Sequence, residues 1–172
     1  PHDITNKPIK DYLPKGDNAE LYLDLMKKSE DILKNHPVNL KRIAEGKNPA
    51  TSIWLWGQGT RPKLENFKQR YGIDGAMISA VDLLKGIAIG GGMKSIDVEG
   101  ATGTIDTNFD GKAAAAIKTL KEGSDFCFIH LEAPDECGHQ GDVDGKKRSI
   151  ELIDEKIIGT VLKAFKGSDL AM

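Results

Sequence analysis

The sequence predicts an α/β fold in which a mostly parallel sheet is flanked by helices. After about residue 50, short apolar runs that suit buried strands alternate with longer segments of helical periodicity. The apolar runs are nearly continuous rather than alternating, as expected of strands that are buried on both faces. Glycine-containing turns separate these segments, and strand–helix alternation of this kind is typical of parallel sheets covered by helices.

The first fifty residues have a different pattern. The elements predicted there are an extended loop over 1–16, a helix from Asp17 or Asn18 to about Asn35, and a short helix over 39–45. Pro37 ends the first helix because the residue before a proline is disfavoured in the helical region. The linker at 46–49 contains glycine and proline, so the one predicted boundary lies near residue 50 and divides the chain into 1–50 and 51–172.

Strands and helices then follow one another in strict order. The predicted strands are Ser52–Trp56, Gly75–Ser79, Ser95–Val98 and Phe126–Leu131, and the predicted helices cover 62–71, 81–88, 106–120 and 144–165. Pro62 opens the first of these helices, and Gly72 can end it in a left-handed conformation. The run Ala113–Ala116 permits close packing of the third helix on the sheet.

The composition is that of a globular protein, and its net charge predicts no highly charged binding partner. Apolar residues make up 39% of the 172 residues and charged residues 29%, with a formal charge of −2. This charge gives no reason to expect binding to nucleic acid or to an anionic membrane, and no apolar run reaches membrane-spanning length. Cys127 and Cys137 do not form a disulfide framework, so a reducing cytoplasm is expected. Because the chain begins at Pro1 without an initiator methionine, we expect it to be a fragment of a longer protein.

The most informative segment is FCFIHLEAPDECGH, at residues 126–139. An apolar strand leads to Pro134, and Asp135 and His139 follow it, four residues apart. On a helix this spacing places both side chains on one face, and a carboxylate with an imidazole suits a divalent ion such as Mn²⁺ or Zn²⁺. Spacing alone favours a plainer alternative, in which Asp135 caps the helix and His139 is an ordinary polar side chain.

Two other segments are candidates for contacting an anion. Arg61 ends the turn GQGTR between a predicted strand and a predicted helix, where backbone N–H groups and a guanidinium favour phosphate or carboxylate. Lys85 precedes a cluster of glycines that could form a similar loop. Tight turns that require glycine explain both segments equally well. His130 and Glu132 could each point into a cleft at the end of their strand, or form a hydrogen-bonded, half-buried pair.

Several segments together resemble the archaeal-type 2,3-bisphosphoglycerate-independent phosphoglycerate mutases. They are PHDITNKPIKDYLPKG (1–16), IWLWGQG (53–59), YGIDGAMISAVDLLKGI (71–87), VEGATGTIDTNFDGKAAAA (98–116) and HLEAPDECGHQGDVDGK (130–146). These enzymes belong to the alkaline phosphatase superfamily and combine an α/β core with an inserted substrate-binding domain. They use two divalent metal ions, usually Mn²⁺, and a serine nucleophile that becomes phosphorylated while 3-phosphoglycerate and 2-phosphoglycerate interconvert.

The resemblance implies a role for each candidate residue. Asp135 and His139 would be ligands of one of the two metal ions, with Mg²⁺, Co²⁺ and Zn²⁺ as alternatives to Mn²⁺. Arg61 and Lys85 are candidates for contacting the phosphate or carboxylate of phosphoglycerate, although neither is matched to a particular family residue, and His2 would line the substrate region. The resemblance thus implies a small-molecule substrate, and neither nucleic acid nor a membrane is an expected partner.

The resemblance also implies that parts of the enzyme are missing. Residues 1–50 would be the end of the inserted region, and 51–172 part of an alkaline-phosphatase-like core truncated at both ends. No serine lies in a context like that of the nucleophile, and the remaining metal ligands should lie beyond Met172. We therefore expect an isomerase of glycolysis and gluconeogenesis as the longer protein, and an inactive isolated chain.

Three alternatives remain open at this point. The longer protein could be another phosphomutase or a phosphohydrolase of the same superfamily, because these enzymes share metal ligands while their substrate contacts differ. It could instead be a non-catalytic binding module that keeps the fold. An exposed sheet edge could also pair with a second copy of the chain.

Overall fold

A computed structural model describes residue 4, residues 6–57 and residues 59–172. His2, one of the predicted substrate contacts, lies outside the described residues. The chain forms two compact units, Pro1–Arg61 and Pro62–Met172. These units divide between Arg61 and Pro62, and the assignment of 1–50 and 51–172 to two parts of a longer enzyme stays a prediction.

The first unit is built on two helices. A turn of 3₁₀ helix at Ile9–Tyr12 precedes α1 (Ala19–Lys34) and α2 (Pro37–Ala44). The amide of the buried Asn39 on α2 donates to the carbonyls of Leu33 (2.8 Å) and Ala50 (2.7 Å). This side chain thereby fastens the end of α1 to the segment that follows α2.

The predicted strand Ser52–Trp56 is wrong. This segment has no strand conformation and is hydrogen-bonded to α1 instead. The Ile53 amide donates to the Ser29 hydroxyl (2.9 Å), and the Ser52 hydroxyl donates to the Met26 carbonyl (3.0 Å). A strand needs a neighbouring strand to pair with, and the strands of the described sheet all belong to the second unit. These bonds to α1 also explain why Ser52–Trp56 is part of the first unit.

The second unit contains a parallel sheet flanked by helices, which confirms the predicted fold class. Its strands are β1 (Gly75–Ile78), β2 (Lys94–Ile96) and β3 (Phe126–Ile129), in the order β2-β1-β3. All four residues of the central strand β1 are buried. The register places Met77 opposite Ser95 on one side and Phe128 on the other, so β2 and β3 are the edges of the described sheet.

The helices of the second unit follow the strands as predicted, with α6 in addition to the predicted helices and with two differences in the others. They are α3 (Phe67–Tyr71), α4 (Asp82–Gly90), α5 (Phe109–Lys121), α6 (Ala133–Gln140), α7 (Val143–Leu152) and α8 (Gly159–Ala164), with a π-helical segment at Ile153–Ile158 between the last two. The predicted long helix over 144–165 is therefore interrupted by a change of helix type. Of the described helices, none has both the length and the apolar character needed to cross a membrane.

The second difference is the start of α3. The helix begins at Phe67 rather than at Pro62, because the Asn66 side chain accepts a hydrogen bond from the Gln69 amide (3.1 Å) and caps the helix there. Gly72 ends it with φ +74°, as predicted. The turn that precedes Pro62 consequently does not lead directly into a helix N-terminus.

The core of the second unit lies where α5 packs against the π-helical segment. Phe109, Ala113 and Ile157 are its buried centre, with Ile129 and Leu152 among the residues packed around them. Ala113 and Ala116 are 0% and 1% exposed. This burial confirms that the alanine run allows α5 to pack closely.

Candidate functional site

The candidate metal ligands lie on α6, which follows directly from β3. The Glu132 carbonyl accepts hydrogen bonds from the amides of Asp135 (2.9 Å) and Glu136 (3.0 Å) and so begins the helix. Pro134 lies in the first turn, where its missing N–H costs no helical hydrogen bond. Gly141 ends the helix with φ +70°. The sequence thus confines α6 to the eight residues that carry both candidates.

One face of α6 is buried and the opposite face is exposed. Ala133 and Cys137, four residues apart, are 1% and 7% exposed and anchor the helix to the unit. Asp135 and His139, also four apart, share the other face with side chains 72% and 52% exposed. Cys137 is therefore a packing residue. The prediction that the two candidate ligands share one helical face is confirmed.

The distance between the two side chains suits a shared ion. Asp135 Oδ2 and His139 Nε2 lie 3.3 Å apart. Oxygen and nitrogen ligands lie about 2.0–2.2 Å from Zn²⁺ or a similar ion, so two adjacent ligands are separated by roughly 3 Å. The pair therefore fits two neighbouring positions around one divalent ion, with a carboxylate and an imidazole as donors.

Two ligands do not make a complete metal site. In the part of the chain that the structure describes, no group of three or more His, Cys, Asp or Glu side chains is placed to hold a metal ion. The Asp135 carboxylate and the His139 ring can also stabilise each other directly at 3.3 Å. The geometry thus supports a partial site that requires further ligands.

His130 and Glu132 do not form the pair that was one alternative for them. The His130 ring is hydrogen-bonded to Ser79, with 3.2 Å between Nδ1 and Oγ. Ser79 is 2% exposed, and its hydroxyl also accepts a hydrogen bond from the Val81 amide (2.9 Å). A serine that is buried and bonded in this way is not open to a substrate.

The structure adds one residue that sequence reasoning missed. Lys112 on α5 is 1% exposed, and its amine donates to the carbonyls of His130 (3.2 Å) and Thr102 (3.4 Å). Its position in the sequence could have identified it, because Phe109 lies three residues before it and Ala116 four residues after it, on the same helical face. A lysine in an apolar stripe is a buried cation rather than a solvated one.

The predicted anion contacts Arg61 and Lys85 belong to different units of the chain. Arg61 is exposed in a segment without regular structure at the end of the first unit. Lys85 lies on α4 in the second unit, where its amine donates to Asp97 Oδ1 at 2.7 Å. This hydrogen bond raises the pKa of the Lys85 amine, while desolvation acts in the opposite direction. The Lys85 amine is thus already paired with a carboxylate of this chain.

The glycine cluster after Lys85 has a packing role. The Phe67 amide donates to the Gly91 carbonyl (2.7 Å), which joins the end of α4 to the start of α3. Gly92 has φ +73°, and a Cβ there would overlap the amide of the Asn66 side chain. These contacts favour the tight-turn interpretation of the glycines over an anion-binding loop.

Comparison with known proteins shows the family to which this chain belongs. The model of the family described as "Metalloenzyme superfamily" matches residues 8–172. The protein named 2,3-bisphosphoglycerate-independent phosphoglycerate mutase in Methanosarcina barkeri is 55% identical over 169 residues, which are 98% of this chain and 42% of that protein. A protein of Geobacter sulfurreducens, named as a probable enzyme of the same kind, is 48% identical over 94% of this chain and 40% of its own length.

A solved structure gives the same result for the fold. The structure of the PH0037 protein from Pyrococcus horikoshii matches with a TM-score of 0.68 and 33% identity, over 85% of this chain and 38% of that one. The resemblance inferred from the sequence is confirmed by these matches. The chain spans about two fifths of the length of the curated relatives it matches, which is the relationship expected of one part of such an enzyme.

Proposed function

Because the chain belongs to the Metalloenzyme superfamily, we propose that it supplies part of the metal centre of a 2,3-bisphosphoglycerate-independent phosphoglycerate mutase. The observation that carries this proposal is the pair Asp135 and His139, whose ligand atoms lie 3.3 Å apart on the exposed face of α6. The two side chains would hold one of two divalent ions. Mn²⁺ is the proposed metal, and Mg²⁺, Co²⁺ and Zn²⁺ are the alternatives.

The residues of this chain would bind and orient rather than react. Bound divalent ions would neutralise phosphate charge and favour the ionised form of a serine hydroxyl. Asp135 contributes a carboxylate and His139 an imidazole at fixed spacing, because Ala133 and Cys137 anchor the other face of α6. Both side chains present their donors without rearrangement of the helix.

The substrate contacts are part of the same proposal. Lys85 would exchange its bond to Asp97 for a phosphate or carboxylate oxygen of phosphoglycerate, and Arg61 would add a bidentate contact. His2 is retained as a third candidate. We place residues 1–50 in the end of the inserted substrate-binding region and 51–172 in the metalloenzyme core. The free thiols of Cys127 and Cys137 suit a reducing cytoplasm.

We further propose that the 172-residue chain is inactive by itself. Only two candidate ligands of one ion come together in the described residues. Ser29, Ser79, Ser124 and Ser149 are all buried, at 7%, 2%, 4% and 0% exposed. A phosphorylatable serine and the remaining ligands would come from other parts of the enzyme.

The test compares three variants of the complete protein that contains this chain. Its activity on 3-phosphoglycerate is measured beside its activity on a panel of other phosphate esters, with added Mn²⁺. We expect Asp135→Asn and His139→Gln to abolish mutase activity, and Glu136→Gln to retain it, because Glu136 lies on the same helical turn outside the pair. Preference for another ester would indicate a different phosphomutase or a phosphohydrolase. Absence of activity with every ester would favour a non-catalytic module.

The isolated chain gives an independent test. Titration with Mn²⁺ by calorimetry should show weak binding that disappears in Asp135→Asn, since two ligands of an incomplete set give little affinity. Mutase activity of the isolated chain would contradict the proposed inactivity. Unchanged Mn²⁺ binding in both Asp135→Asn and His139→Gln would contradict the proposed ligands.

A further inference from the structure

Lys112 is a buried cation to which the proposed function assigns no role. It is 1% exposed, although lysine is one of the residue types least often buried. It lies on α5 in a buried stripe with Phe109, Ala113 and Ala116. Burying a charge is costly unless the charge is paired and hydrogen-bonded, so its partners define what it stabilises.

The partners of the Lys112 amine come from two separate segments. It donates to the His130 carbonyl at 3.2 Å and to the Thr102 carbonyl at 3.4 Å. Burial lowers the pKa of the amine, and the nearby Glu132 carboxylate acts in the opposite direction. That carboxylate also lies against Gly103, where an added Cβ would be 2.6 Å from Oε2.

These contacts surround the connection between β3 and α6. The His130 amide still belongs to the sheet, since it donates to the Ile78 carbonyl at 2.8 Å. Glu132, two residues later, already begins α6 through its carbonyl. Lys112 therefore contacts the start of the three-residue connection through the His130 carbonyl, and its charge interacts with the Glu132 carboxylate at the end of that connection.

An apolar side chain could fill the same space without the cost of burying a charge. Replacing a buried ionic group by a well-packed apolar residue is often neutral or even stabilising. The stability of the core therefore does not by itself require a lysine here. A cation is required if the carbonyl of His130 and the carboxylate of Glu132 must be held in a fixed position.

We propose that Lys112 is a positioning residue for the metal site, whose amine fixes residues 130–132 and thereby the orientation of α6. The consequence of this orientation for metal binding rests on the proposed function of Asp135 and His139. The effect of Lys112 on the position of α6 does not depend on that function, because it follows from the contacts of Lys112 alone. The two consequences can therefore be tested separately.

The first measurement is amide hydrogen exchange in the 172-residue chain. Lys112→Met keeps the length of the side chain and removes its charge, and Lys118→Met makes the same change at an exposed position of α5. We expect Lys112→Met to accelerate the exchange of α6 amides about tenfold or more relative to β1 amides, and Lys118→Met to change this ratio less than about twofold. Equal acceleration of all amides would indicate a general loss of stability and would overturn the proposal.

The second measurement uses Mn²⁺ alone and follows the paramagnetic broadening of the His139 ring signals by NMR. Loss of a residue that orients metal ligands typically costs about 10–100-fold in affinity, so Lys112→Met should need at least about tenfold more Mn²⁺ for the same broadening. Lys118→Met should respond like the unchanged chain. A folded Lys112→Met variant whose Mn²⁺ response matches that of Lys118→Met would overturn the link to the site.

Two outcomes need a separate interpretation. If Mn²⁺ does not broaden the His139 signals of the unchanged chain, the proposed function fails, and the exchange measurement alone decides whether Lys112 positions α6. If Lys112→Met does not fold, Gly103→Ala tests the same connection, because its Cβ would displace the Glu132 carboxylate and Gly103 is not among the glycines with positive φ. Faster exchange of α6 in that variant would support the proposal, and unchanged exchange would overturn it.

Discussion

The Ser79 hydroxyl and the His130 ring are hydrogen-bonded across the carboxyl ends of β1 and β3, with 3.2 Å between Oγ and Nδ1. The same hydroxyl accepts a hydrogen bond from the Val81 amide, which precedes α4. Ser79 thus joins the central strand to the next helix and to the strand that leads to the candidate site. Because Ser79 is 2% exposed, water cannot easily replace these bonds.

Ser79→Ala should lower the free energy of unfolding by about 1–3 kcal/mol. The substitution leaves the His130 ring nitrogen and the Val81 amide, both partly buried, without the partner that Ser79 gives them, and buried groups left unpaired cost up to about this much. Urea denaturation measures the change. Ser168→Ala, at an exposed position, should change stability by less than about 0.5 kcal/mol. Equal stability of the two variants would contradict the prediction.

Asp97→Asn should lower the pKa of the Lys85 amine. The hydrogen bond to the Asp97 carboxylate is the main reason that this pKa is raised; the neutral amide of Asn accepts only a weaker hydrogen bond, while desolvation still acts in the opposite direction. A raised lysine pKa means that the pair contributes stability below the ordinary lysine pKa and loses it as the pH rises through the raised value. An NMR titration of the Lys85 side chain measures the pKa directly.

Asp82→Asn is the matched control for this titration. Asp82 acts on Lys85 only through its charge and is the weakest of the causes that raise the pKa. Its replacement should therefore lower the pKa of Lys85 less than the replacement of Asp97 does. A pKa that responds equally to the two substitutions would show that the 2.7 Å hydrogen bond is not the main cause.

Cys127 should react slowly with iodoacetamide while the chain is folded. Burial raises the pKa of its thiol to about 11, so at pH 8 only about one thiol in a thousand is in the reactive thiolate form. Cys137 is 7% exposed and should also react slowly. Mass spectrometry of the labelled peptides should show modification at least about tenfold slower in buffer than in urea. Equal rates in the two solvents would contradict this expectation.

The strands and helices that were predicted correctly are those whose signals are local. Gly72 ends α3 because a left-handed cap depends on one residue, and β1 is buried because its whole apolar run lies in the centre of the sheet. Ser52–Trp56 has an equally apolar pattern but is not a strand. Pairing depends on a neighbour that the segment itself does not specify, and here Ser29 binds its backbone instead. The start of α3 was misplaced because Asn66, a stronger cap, follows Pro62.

For the candidate site too, the features that depend on local sequence were predictable and those that depend on distant contacts were not. The spacing of Asp135 and His139 fixes their common face on any helix, whereas the 3.3 Å separation of their ligand atoms depends also on the rotamers of the two side chains. The connection that orients this helix was not predictable, because it depends on contacts between residues distant in sequence. Lys112 lies 18 residues before His130, and nothing local to α5 shows that its amine reaches that carbonyl.

Gly92→Ala should be more destabilising than Gly72→Ala, although both glycines have nearly the same φ, +73° and +74°. A left-handed conformation costs a non-glycine residue about 1–2 kcal/mol, and this is the whole expected cost at Gly72, where an added Cβ meets no atom within 4 Å. At Gly92 the Cβ would also overlap the Asn66 side chain. Since Asn66 caps α3, its displacement should cost about 1 kcal/mol more.

A double-mutant cycle in urea denaturation separates the two contributions at Gly92. Asn66→Ala alone should lose the cap, and in the double variant the Cβ of Ala at position 92 no longer meets the amide group of position 66. The double variant should therefore lose less stability than the sum of the two single variants, because the overlap is counted only once. Additive losses would show that Asn66 moves away without cost, and would leave the backbone conformation as the only role of Gly92.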